Sequence, residues 1–122
     1  MNTIFPRDNT LSNQDVSYLT GNLNQKSPLE RAKIYTELVY RINESQDVEP
    51  ILFDAIRNEN NRQENFWGFI KVAWIPVIGI LDSKNQTLID KTKEILLKNW
   101  SSIERKNLHE YVKKEFDLSN IL

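Results

Sequence analysis

Phe66-Trp67-Gly68-Phe69-Ile70-Lys71-Val72-Ala73-Trp74-Ile75-Pro76-Val77-Ile78-Gly79-Ile80-Leu81 holds two of the chain's three tryptophans and a single charged side chain in sixteen residues. A membrane span needs about 20 consecutive apolar residues. This run is shorter, carries Lys71 near its middle and contains Pro76 and Gly79. A lysine stem lies along apolar neighbours while its ammonium reaches water, so the stretch reads as a buried helix starting at about Glu64. It forms the expected centre of the fold, with Trp67, Phe69 and Trp74 in the core. Proline inside a helix removes one backbone hydrogen bond and disfavours αR geometry in the residue before it, which predicts a kink or a break near Ile75.

Downstream of this run, Asp82-Ser83-Lys84-Asn85 reads as a turn, and Leu88, Thr92, Ile95, Leu96 and Asn99 mark one face of a following helix. Ser101-Ser102-Ile103-Glu104 is a capping box, opening a last helix whose stripe is Leu108, Tyr111, Val112 and Phe116. Trp100, just ahead of it, is either a core residue at a helix end or an exposed anchor. Upstream, the polar segment Arg57 to Gln63 reads as a turn, and before it Asp47 with Pro50 opens a helix carrying Ile51, Leu52, Ala55 and Ile56. Ser27-Pro28-Leu29-Glu30 combines a serine cap, proline at the first helical position and a box-closing glutamate. That helix is expected from Pro28 to about Glu44, with Leu29, Ala32, Tyr35, Leu38, Val39 and Ile42 as one buried stripe. Ser12 or Asn13 is the expected cap of a short helix through Val16, Leu19 and Leu23, and residues 1–11 form an extended arm whose Phe5 packs on the domain.

No segment alternates with period two, and three glycines leave little for hairpins. The expectation is a single all-α domain over residues 1–122, five to six antiparallel helices joined by short turns. The stretch from Trp74 to Asp82, followed by Leu88, Ile89, Lys91, Thr92, Ile95 and Leu96, resembles a HEAT-type helical pair. A fainter second copy starts at Pro50, closer to Pro76 than the usual HEAT period, so an irregular HEAT-like stack or bundle is the expected architecture.

The 122 residues are enough for a core without staples. There is no cysteine, and the first residues lack the basic and apolar regions of a secretory signal, which predicts a cytoplasmic protein. Seventeen acids against sixteen Lys and Arg give a net charge of −1 and no overall pull toward nucleic acid or membrane. The total hides a gradient. Glu44 to Glu64 holds six acids and two bases, a local net of −4, whereas Trp67 to the end holds nine bases and seven acids, a net of +2. Charge runs of this kind are most often solvated faces.

Catalytic chemistry has few candidates. His109 is the only histidine, so a histidine-paired nucleophile or a histidine-rich metal site collapses onto one residue. Arg105 stands one turn before it, and this Arg-x3-His resembles the motif of the HEPN ribonucleases, all-helical enzymes in which arginine and histidine act on an RNA phosphate. The family spaces the pair by four to six residues, and here there are three. Asp90 and Glu94 share a face but sit among Lys91, Lys93 and Lys98. EF-hand loops, phosphate-cradling glycine loops and nucleophile elbows are missing. Arg105, Lys106, Lys113 and Lys114 on the last helix, with Trp100 before it, have the look of a phosphate-binding face, but Glu104, Glu110, Glu115 and Asp117 interrupt it. The reading is therefore a binding protein with no catalytic residues, metal or cofactor.

In size, helicity and an acidic middle the chain resembles the small all-helical immunity proteins of bacterial contact-dependent growth inhibition systems. The resemblance is of the whole chain and assigns no residue. It implies one tight partner, a cognate toxin domain that is typically a basic nuclease, blocked by occlusion of its active site. Read from the residues, the matching toxin-binding surface is Glu44, Asp47, Glu49, Asp54, Glu59 and Glu64, carboxylates able to imitate the phosphates a nuclease cleft holds. Complementary charge speeds encounter and sets specificity. The competing readings are an RNA-acting helical enzyme built on Arg105 and His109, and a phage- or plasmid-encoded scaffold domain.

Overall fold

Serine caps decide where two of the long helices begin. In the computed structural model, which describes residues 6–122, helix α2 (Pro28–Tyr40) starts with the Ser27 hydroxyl accepting from the Glu30 amide while the Glu30 carboxylate accepts from the Ser27 amide. Helix α7 (Ser102–Val112) repeats the box with Ser101 and Glu104. Helix α6 (Gln86–Asn99) is capped by Asn85, and the short α1 (Val16–Thr20) by Asp15 rather than by Ser12 or Asn13. Helix α3 (Val48–Arg57) starts after Asp47 as expected, though the Asp47 side chain makes no capping bond. Short 3-10 turns lie at Leu23–Gln25 and Ser119–Ile121. The chain among the described residues is mainly helical, seven α-helices with one two-stranded hairpin, so the all-α class holds. The expectation for Phe5 lies outside the described residues.

The apolar run is not one helix. It divides into a hairpin, β1 (Asn65–Trp67) with β2 (Ile70–Lys71), and helix α5 (Trp74–Asp82). The strands pair antiparallel, Asn65 opposite Lys71 and Trp67 opposite Ile70, across a turn in which Gly68 has φ 56°, a left-handed conformation that glycine adopts at no steric cost. Pro76 falls in the first turn of α5, where amides have no intrahelical acceptor. It therefore neither kinks nor breaks the helix, which instead begins two residues before it. Of the hairpin only Ile70 is buried, and Trp67 and Phe69, expected in the core, are 65% and 66% exposed.

The second half of the run does become the centre of the fold. Every residue of α5 from Trp74 to Leu81 is buried, and the helix packs on α2, α3 and α6. Its approach to α2 is close: a Cβ on Gly79 would lie 2.3 Å from Cγ1 of Val39, so the two helix backbones meet where no side chain fits. The three-residue turn between α5 and α6 sets them side by side in opposite directions.

Three further expectations change. Helix α2 ends at Tyr40, not near Glu44, and Leu29 on its first turn is 45% exposed. The polar segment after α3 contains a helix, α4 (Glu59–Gln63), capped by the Asn58 side chain. Trp100 is a core residue, 4% exposed, whose indole Nε1 donates to the carbonyl of Ile56 at 2.8 Å.

Candidate functional site

Polar side chains that leave the surface define what remains available. Glu37, fully buried on α2, accepts from Arg7 Nε and Nη2 at 2.8 Å each and from Arg41 Nε at 2.6 Å. The Arg7 hydrogen bonds outweigh burial and hold the Glu37 carboxyl below the usual glutamate range. Arg41 also donates to the carbonyls of Leu11 and Ser12, so this cluster ties the described part of the arm to α2. A second cluster joins buried Arg31 to Asn61 Oδ1 at 3.0 Å and to the Glu64 carboxylate, while Asn61 Nδ2 donates to the Tyr35 hydroxyl and the Ala55 carbonyl. A third pairs Arg62 with Glu104 at 2.8 Å.

The six acidic candidates accordingly divide. Glu64 is taken by Arg31, and Asp54 meets Arg57 at 3.2 Å in an exposed i,i+3 pair, which contributes little in water. Glu59 accepts from the Gln63 amide within α4. Glu44 and Asp47 are exposed around the turn from α2 to α3, and Glu49 is half-buried in the first turn of α3. The structure thus brings Asp47 and Asp54 onto one surface and turns Glu64 away from it.

That surface is a furrow between α1 and α3. Two depressions of about 260 and 610 Å³ share Thr20 and Ile51 as common walls. Asp47 and Asp54 line it from α3, and Asp15 lines it from the cap of α1. Among the described residues the one cation in its lining is Arg41, already committed to Glu37, and Arg57 reaches Asp54 from outside the lining at 3.2 Å. The backbone amide of Tyr18, with the Ser17 hydroxyl, holds the Asp15 carboxyl below the ordinary aspartate range, so this third acid is ionised at neutral pH. Asp15 is not among the six acids that the sequence singles out. Its signal is the helix cap, which is expected from the sequence at Ser12 or Asn13.

Arg105 is engaged by backbone at the end of α6, its guanidinium lying on the carbonyls of Trp100 and Leu96, and His109 Nδ1 is buried without a hydrogen-bond partner among the described residues. Among the described residues, no group of three or more His, Cys, Asp or Glu could hold a metal ion. No helix there is long and apolar enough to cross a membrane. Comparison of the chain with family models, curated proteins and solved structures finds no match.

Proposed function

We propose that the protein is a cytoplasmic immunity protein, which binds a cognate bacterial toxin domain, a basic nuclease, and neutralises it by occluding its active site. The observation that carries the reading is the α1–α3 furrow, lined among the described residues by Asp15, Asp47 and Asp54 with no lysine, its lining arginine Arg41 paired with Glu37 and only the exposed Arg57 reaching Asp54. Carboxylates spaced along a concave strip present to a basic cleft the charge that a nucleic-acid backbone presents, and complementary potential raises association rate before it raises affinity. Glu44 and Glu59 extend the negative field at the margins of the strip, whereas Glu64 contributes to folding through Arg31.

A gene directly upstream encoding a large secreted protein with a variable C-terminal domain would favour the reading, and the test is binding to that C-terminal domain, followed by kinetics. Wild-type protein is expected to capture that domain and suppress its nuclease activity in stoichiometric amounts. Reversal of Asp47, Asp54 and Glu59 to lysine together is expected to slow association and flatten its salt dependence, with helical content unchanged. Unchanged association of the triple variant at low salt would place the contact elsewhere. Capture with no loss of nuclease activity would remove the occlusion mechanism.

A further inference from the structure

The hairpin that replaces the expected helix carries Phe69 to the end of α7 and opens a cleft of about 700 Å³ between them, within the size range of small-molecule sites. We propose that this cleft binds a nucleotide unit, free or within a single strand, with its base stacked on Phe69 and its phosphate held by Lys113 and Lys114.

The aromatic part of the site is preorganised. Phe69 is 66% exposed, yet its ring meets Trp74 and Tyr111 edge-on, with centroids 6.3 and 5.8 Å away. Trp74 and Tyr111 lie 5.1 Å apart and form the floor. A ring held by two aromatic neighbours and still 66% exposed loses little freedom when a second ring stacks on it. The positive φ of Gly68 sets the turn that puts Phe69 there.

The cations come from two elements distant in sequence. Lys71 on β2 lines the cleft and donates one hydrogen bond to the Gln63 carbonyl at 3.0 Å. Across from it, Lys113 pairs with Glu110 at 2.7 Å, and Lys114 makes no ion pair among the described residues. Three lysines against one glutamate leave the lining at +2. Asn65 and Asn107 add side-chain amides, each with donors and an acceptor suited to a base edge. Asn107, Glu110 and Tyr111 on α7, with Lys114 in the turn just after it, line the side of the cleft that faces the hairpin.

Lysine is depleted in the cores of protein interfaces, so a cleft with three lysines around an exposed ring favours a phosphate-bearing aromatic ligand over a protein segment. Single-stranded nucleic-acid sites combine these two features, with stacking that tolerates any base. The proposal does not depend on the toxin-binding reading, since it concerns different residues and needs no partner protein.

The experiment is fluorescence anisotropy of a labelled ten-nucleotide single strand with the purified full chain at low salt, competed with a mononucleotide, a ten-base-pair duplex and poly-glutamate. Saturable binding of the strand is expected, weakened roughly ten- to a hundredfold by Phe69→Ala and restored by Phe69→Trp. Replacing Lys113 and Lys114 with alanine together should reduce the magnitude of the slope of log K against log salt by about 0.7, the value for one phosphate of a single strand no longer neutralised. Phe69 is exposed, so its variants should keep wild-type circular dichroism. Competition by the mononucleotide assigns a free-nucleotide site, and competition by the strand alone assigns a strand site; both support the proposal. Equal binding by Phe69→Ala, or competition by duplex or poly-glutamate as strong as by the single strand, would show charge attraction without stacking and overturn it. No binding of strand or mononucleotide would also overturn it.

Discussion

Gly79→Ala tests the contact on which the packing of α5 against α2 rests. The added methyl carbon would stand 2.3, 2.5 and 2.9 Å from Cγ1, Cγ2 and Cβ of Val39, well inside the separation of about 3.5–4.0 Å at which carbon atoms attract. Rotation of Val39 gives little relief, because a β-branched side chain in a helix has one strongly preferred χ1 and this one is buried. Overpacking of this kind costs about 1–3 kcal/mol, while alanine in place of a helical glycine returns about 1 kcal/mol. The clash wins only if the helices cannot separate. Since α5 is buried from Trp74 to Leu81 and also packs on α3 and α6, it has no direction in which to retreat, and a net loss of about 1–2 kcal/mol is expected. Urea unfolding followed by tryptophan fluorescence measures it. Val39→Ala alone should also destabilise, by about 1.5–2 kcal/mol from the removal of two methyl groups. In the double variant the two shortest approaches, to Cγ1 and Cγ2, are gone and only the 2.9 Å approach to Cβ remains, so the two losses should fail to add by about 1 kcal/mol. Additivity within about 0.5 kcal/mol, the behaviour of independent sites, would refute the close approach of these helices.

Glu37→Gln should flatten the acid limb of stability. Because the folded pKa of Glu37 is depressed, its contribution is present above the ordinary glutamate value of about 4.3 and is lost as pH falls through the folded value; unfolding measured from pH 7 to pH 3 checks this, and an unchanged limb would remove Glu37 from the account. Trp100→Phe keeps most of the apolar volume but leaves the Ile56 carbonyl without its indole donor, an expected loss of about 1–3 kcal/mol by the same urea assay. Pro76→Ala should change stability by less than about 1 kcal/mol, since a first-turn proline removes no helical hydrogen bond; a change of about 3 kcal/mol would indicate a mid-helix position. His109→Ala should leave toxin binding intact, and loss of an RNA-cleaving activity of the purified protein in that variant would replace the immunity reading with the enzymatic one.

The parts of the fold legible in the sequence are those whose cause is local. Both capping boxes, Ser27 with Glu30 and Ser101 with Glu104, form where they read, because donor and acceptor lie within four residues. The sixteen-residue apolar run reads as one helix because burial alone fits either a helix or a hairpin followed by a helix, and the bonds that decide between them are distant. The Val72 amide donates to the Glu64 carbonyl and the Ala73 amide to the Asn61 carbonyl. These fold β2 back over the end of α4 before α5 can start. Arg31 and Glu64 are 33 positions apart, so nothing near Glu64 marks it as a folding residue instead of a surface acid. The furrow is half legible for the same reason: Asp47 at the cap of α3 and Asp54 within it are close in sequence, and Asp15 joins them only because α1, packed on α2, sits across the furrow from α3.

A net charge of −1 conceals two surfaces of opposite sign. Asp15, Asp47 and Asp54 gather on α1 and α3, and Lys71, Lys113 and Lys114 gather on the hairpin and the end of α7. Such separation matters more for encounter than the total does, because a basic partner is drawn to one surface and repelled from the other. On the proposed reading, the lysine cleft would act against misdocking of a basic toxin domain drawn to the furrow, adding repulsion to attraction as a source of specificity. Salt weakens both effects over a Debye length of about 8 Å at physiological ionic strength. Reversing the three lysines should therefore leave the dissociation rate of a furrow-bound toxin domain unchanged, while increasing its nonproductive encounters at low salt.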